Sequence, residues 1–80
     1  MDKTKIYEKN EFSDALALQV LKGTYQILEE RGYNPINQIV GYLMSGDPGY
    51  ITSYNGARTL ITGVDRAKLI ETMLKNICDI

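Results

Sequence analysis

Apolar residues recur along this chain at spacings of three and four, and no segment sustains the alternation by two that a half-buried strand requires. Leu18, Leu21, Tyr25 and Leu28 form one such row, widened by Val20 and Ile27, and predict a helix over about 13–31 with Ser13 as its N-cap and Asp14 in its first turn. Gly23 within it costs about 1 kcal/mol relative to alanine, so either close packing or a local weakness is expected there. Ile36, Ile39, Val40, Leu43 and Met44 fit a second helix over 35–45 and share one face, which makes this short helix central. Gly41 beside them predicts the near approach of another backbone. Leu69, Ile70, Met73, Leu74 and Ile77 give a last helix over 66–79, capped by Asp65, with Arg66, Lys68, Glu71 and Lys75 outward and Glu71–Lys75 in the favourable i, i+4 order.

Punctuation between these rows is dense. Gly32 supplies a left-handed stop, Asn34 a cap and Pro35 a first-turn residue that needs no amide hydrogen; Gly46, Asp47 and Pro48 repeat the signal. Tyr50, Ile51 and Tyr54 follow in a short turn. Asn55-Gly56 has the form of a hairpin signal, but its flanks do not alternate, and a short third helix over 54–62 is expected instead, with Ala57, Leu60 and Ile61 inward and Gly63 at its end. Residues 1–11 hold three lysines, three acidic residues and only isolated apolar positions. The pattern therefore predicts an all-α fold, a compact bundle of about four short helices over 12–80 behind a flexible N-terminal arm over 1–11.

Eighty residues make one domain of a size at which a single core barely outweighs chain entropy, so a second subunit is a natural source of further burial. Hydrophobic residues at 44% and charged residues at 24% describe an ordinary globular chain. No apolar run approaches the roughly 20 residues that span a bilayer, and no secretory pattern opens the sequence, so the expected compartment is the cytoplasm, without membrane insertion. The lone Cys78 forms no internal disulfide, in keeping with a reducing compartment.

Candidate chemistry is sparse. The absence of histidine removes the commonest general base and metal ligand, Cys78 has no usual activator, and the position of Asp47 before Pro48 is explained by capping. No glycine run carries the lysine of a phosphate-binding loop, and no catalytic residue, metal or cofactor is expected. A helix-turn-helix reading would make 35–45 the recognition helix, yet its outward residues, Asn37, Gln38, Tyr42 and Ser45, include no cation, and a net charge of −1 gives no footprint for nucleic acid. Tyr33, Tyr42, Tyr50 and Tyr54 lie close in sequence and either roof the core or form a subunit or partner interface. Thr4, between Lys3 and Lys5, is either simply solvated or an acceptor within reach of a kinase, where a phosphate of about −1.5 to −2 would reverse the local charge.

The run from Gly32 to Pro48, continued through Tyr50-Ile51 to Ala57-Arg58, resembles the IreB family of small proteins of Gram-positive firmicutes, and the resemblance extends over roughly the whole chain. It implies a homodimeric regulatory protein phosphorylated in its N-terminal arm by a membrane Ser/Thr kinase with extracellular PASTA repeats, dephosphorylated by the cognate phosphatase, and modulating cell-envelope stress and cephalosporin resistance through an unknown downstream protein. Asp2-Lys3-Thr4 matches the family's acidic-x-threonine motif, so Thr4 inherits the acceptor role. Relatives with a further threonine upstream, a proline where this chain has Thr52, or charge at Asn55-Gly56 depart from it. The alternative is a constitutive interaction module acting as a scaffold, or, further off, a nucleic-acid binder.

Overall fold

A computed structural model describes the backbone of residues 3–78 and the side chains of residues 13–78, and among these residues every regular element is helical. They are α1 (Lys3–Glu30), α2 (Pro35–Ser45), α3 (Ala57–Thr62) and α4 (Arg66–Cys78), with single 3-10 turns at Pro48–Tyr50 and Tyr54–Gly56. α1 begins at Lys3 rather than at 13. Ser13 is a competent cap, but no glycine or proline precedes Gly23, and extending an existing helix through Lys- and Glu-rich sequence is far easier than starting one. The segment expected as an arm therefore has helical backbone over 3–12.

The stops and starts of α2 follow from local stereochemistry. Gly32, at φ 83°, ends α1, with the Tyr33 N–H donating to the Leu28 carbonyl at 3.0 Å. Asn34 Oδ1 then accepts from the Asn37 N–H at 3.1 Å, Pro35 opens α2, and Gly46 at φ 78° closes it. Asp47 caps in the same manner, Oδ1 accepting from the Gly49 N–H at 2.8 Å, but what it starts is one 3-10 turn rather than a helix. The expected 54–62 helix is split: Asn55 at φ 56° and Gly56 at φ 76° are both left-handed, so α3 begins only at Ala57.

α1 carries the core, packing against α2, α3 and α4. Its buried row is Ala17, Val20, Leu21, Thr24 and Leu28: Val20, Leu21 and Leu28 lie inside as expected, while Ala17 and Thr24 take the places of Leu18, which is half-buried, and Tyr25, which is exposed. Ala17 and Thr24 on this row are fully buried, as is Ala57 of α3, and Thr72 of α4 is 1% exposed. Ile39, Tyr42, Ile51, Ile61 and Leu69 complete the interior.

Several residues expected inside are not. Ile36, Val40 and Met44 of α2 are exposed, as are Leu60 of α3 and Ile70, Leu74 and Ile77 of α4. On α2 the apolar positions form two rows, 39–43 and 36–40–44, and only the first meets α1. Gly23 has open space where a side chain would go, so no close packing explains it. At Gly41 the neighbour is the Tyr50 ring, whose Cζ would lie 2.9 Å from an added Cβ, and not another backbone.

Candidate functional site

Two apolar rows left outside the core meet on one side of the bundle. An open groove of about 690 Å³ lies between α1, α2 and α4, lined by the buried Leu21 and Ile39 and by the exposed Tyr25, Ile36, Val40 and Ile77. Among the described residues, Lys22, Gln26, Asn76 and the Tyr25 hydroxyl bring polar groups to its lining. The spacing of the apolar residues already held the signal for it. An apolar face on α2 that includes 36, 39, 40, 43 and 44, with Tyr42 also turned inward, is wider than one helix contact can cover in a chain of 80 residues.

The four tyrosines do not form one surface. Tyr42 is buried at 5% exposure, and its place in the core removes it from the outward residues of α2. Tyr33, Tyr50 and Tyr54 are exposed. Tyr50 lies over Gly41 while its carbonyl accepts from Gln38 Nε2 at 2.9 Å, which ties the 3-10 turn to α2. Tyr54 carries the Arg31 guanidinium 4.1 Å above its ring centre, a cation–π contact between the end of α1 and the turn before α3. Nearby, Arg58 Nε donates to the Ile51 carbonyl at 2.8 Å. These three arrangements brace the connecting loops.

Charge concentrates where α1 passes α4. Lys68 Nζ and Lys75 Nζ both contact the Asp14 carboxylate, the latter at 3.1 Å, and both reach Glu71, at 3.3 and 3.6 Å. Hydrogen bonds from Lys68 and then Lys75 hold the Asp14 carboxyl below the usual carboxylate range, and the Asp14 hydrogen bond in turn raises the Lys68 ammonium. Lys68 and Lys75, expected to point outward, thus fasten two helices together.

Thr4 falls in the first turn of α1, in the part whose side chains lie outside the described residues. Among the described side chains, the first buried one on α1 is Ala17. Of the groups weighed for catalysis, Asp47 caps its 3-10 turn and Cys78 is an exposed thiol at the end of α4. Among the described residues no three His, Cys, Asp or Glu side chains are grouped to hold a metal ion, and no helix is long and apolar enough to cross a membrane. The exposed row of α2 that a recognition helix would turn to DNA consists of Ile36, Val40 and Met44. The family model described as IreB regulatory phosphoprotein matches residues 2–79.

Proposed function

The chain belongs to the IreB family of regulatory phosphoproteins, and from that membership we propose a non-enzymatic cytoplasmic switch whose acceptor is Thr4. A PASTA-repeat Ser/Thr kinase adds the phosphate and the cognate phosphatase removes it. The working unit is a homodimer that meets a downstream protein, and its output is the cell-envelope stress response and cephalosporin resistance. The observation carrying this reading is the family match across residues 2–79, which takes in the Asp2-Lys3-Thr4 motif and the helical body together.

Physical chemistry supports the placement. Asp2, Lys3 and Lys5 sum to about +1, and a phosphate of about −1.5 to −2 turns the segment negative. Three hydroxyls within the body are engaged: Ser45 Oγ donates to the Gly41 carbonyl at 2.7 Å, Thr62 Oγ1 to the Arg58 carbonyl at 2.7 Å and Thr72 Oγ1 to the Lys68 carbonyl at 2.8 Å. A kinase takes its substrate as an extended segment, and the first turn of a helix opens at far smaller cost than its middle. Residues 1–11 thus act as the arm and 12–80 as the body, with phosphate able to change what the arm contacts without disturbing the core.

Purified kinase and ATP test this with the full chain. Thr4→Ala is expected to keep the helical circular dichroism and the melting curve of the parent while losing phosphate incorporation. Stoichiometric labelling of Thr4→Ala would overturn the assignment.

A further inference from the structure

Two guanidinium groups border the loop 51–54. Arg31 lies with its Cζ 4.1 Å above the Tyr54 ring centre, and Arg58 is tied to the same loop twice, by its backbone N–H to the Thr52 carbonyl at 3.1 Å and by Nε to the Ile51 carbonyl at 2.8 Å. Neither is neutralised, since the ion pairs among the described residues all belong to Lys68 and Lys75. Stacking occupies one face of Arg31 and the loop carbonyl takes only the Nε of Arg58, so the outer N–H edges of both forks have no hydrogen-bond partner among the described residues. Tyr33 and Tyr54 stand beside them at 47% exposure each, and Ser53 is exposed with no side-chain cap bond. The contacts that brace the loop also hold the two arginines in place, so little rotamer freedom is left to lose when an anion arrives.

We propose that Arg31 and Arg58, held against the loop 51–54, form a docking site for a phosphorylated segment of a partner protein. Charge complementarity selects that occupant. Two guanidiniums place about +2 at one spot, on a chain whose net charge is −1. A phosphate monoester brings about −1.5 to −2 and three acceptor oxygens that match the planar forks, whereas a carboxylate brings about half the charge and satisfies one fork. Nucleic acid is a poorer fit, because its backbone is gripped by cations along a track, and here the exposed Glu29 and Glu30 directly precede Arg31. The Tyr33 and Tyr54 rings supply contact area for the residues that flank the phosphate, in the combination of tyrosine and arginine that carries binding energy at interfaces. The chain's own leading segment is not the occupant: Thr4 and Glu30 stand at opposite ends of α1, a continuous helix about 40 Å long. The site therefore goes beyond the acceptor role of Thr4, which receives a phosphate where this end of the body holds one.

Fluorescence anisotropy on the full chain tests the site, with a fluorescein-labelled Gly-Ser peptide carrying one phosphothreonine and the same peptide with Thr or Glu at that position. The phosphopeptide is expected to bind about 10-fold or more tightly than either counterpart. Arg31→Gln and Arg58→Gln are each expected to weaken it by about 10-fold or more, while Lys22→Gln, which removes the same charge elsewhere on α1, leaves it unchanged. Tyr54→Leu is expected to weaken binding by releasing Arg31, and Tyr54→Phe, which keeps a ring under the guanidinium, to preserve it. Arg31 is an exposed side chain at a helix end, so its variant keeps the test valid should Arg58→Gln fail to fold, which circular dichroism reports. Equal affinity for the Thr or Glu peptide, full binding by folded Arg31→Gln, an equal loss in Lys22→Gln, or binding of a labelled oligothymidine at least as tight as that of the phosphopeptide would each overturn the proposal. None of these results bears on the labelling of Thr4.

Discussion

At the scale of single residues, four positions account for much of what can be measured. Thr24 is fully buried, and its hydroxyl has no hydrogen-bond partner among the described residues, a burden of about 1 to 3 kcal/mol for an unsatisfied buried group. Thr24→Val keeps the branched shape and discards the orphan, so urea denaturation is expected to show a gain of about 1 kcal/mol. Gly46 combines φ 78° with an Arg66 guanidinium whose Cζ would lie 2.8 Å from an added Cβ, while Arg66 Nη1 donates to the Leu43 carbonyl at 3.0 Å. Gly46→Ala strains the left-handed turn and disturbs this second cap of α2, for an expected loss of about 1 to 2 kcal/mol by the same method. Asp14 carries a pH dependence. Its carboxyl is lowered in the folded state from the ordinary 3.8, so its contribution is complete above that value and disappears as the pH falls through the lowered value. Lys68 acts at the other end: raised above 10.5 in the fold, it contributes fully below that pH and loses its contribution as the pH rises through the raised value. Asp14→Asn is expected to lower the urea midpoint at neutral pH and to flatten its decline below about pH 4, which a pH series of denaturation curves would detect.

Secondary-structure elements show how far pattern alone reaches. The limits of α2 could be read directly, because Asn34-Pro35 and Gly46 dictate backbone angles regardless of what the helix packs on. Those of α1 could not. Ser13 is an optional cap, and the continuation to Lys3 is decided by the absence of any breaker rather than by a positive signal. Asn55-Gly56 announced left-handed angles correctly, yet those angles serve the entry to α3 and not a hairpin, since the choice rests on the flanking residues. Asn55→Ala, which puts a side chain poorly suited to φ 56° at this entry, is expected to cost about 1 kcal/mol in stability and to lower the melting temperature. Periodicity also named the apolar residues of α2 and α4 without saying which would be covered. Ile39 and Leu69 went inside and Ile36, Val40 and Ile77 did not, because the apolar faces of α2 and α4 are wider than the contact each makes with α1.

For the whole molecule, the proposed division of labour is between a body built on α1 and a leading segment that would take the chemical mark. Among the described side chains, the buried rows, the capped turns and the Asp14–Lys68–Lys75–Glu71 cluster tie the body together, and Thr4 lies outside them. Asp2-Lys3-Thr4 could be read in the sequence as a candidate acceptor motif, and the apolar spacing signalled a surplus face on α2, but not that the unused apolar rows of α1, α2 and α4 come to face one another. The most direct test is peptide-mapped mass spectrometry of the protein isolated from cells with the kinase active. The account expects a single phosphate on the peptide containing Thr4, lost when the kinase is deleted; an unmodified Thr4 in those cells, with phosphate found instead on a body hydroxyl such as Ser45 or Thr62, would contradict it.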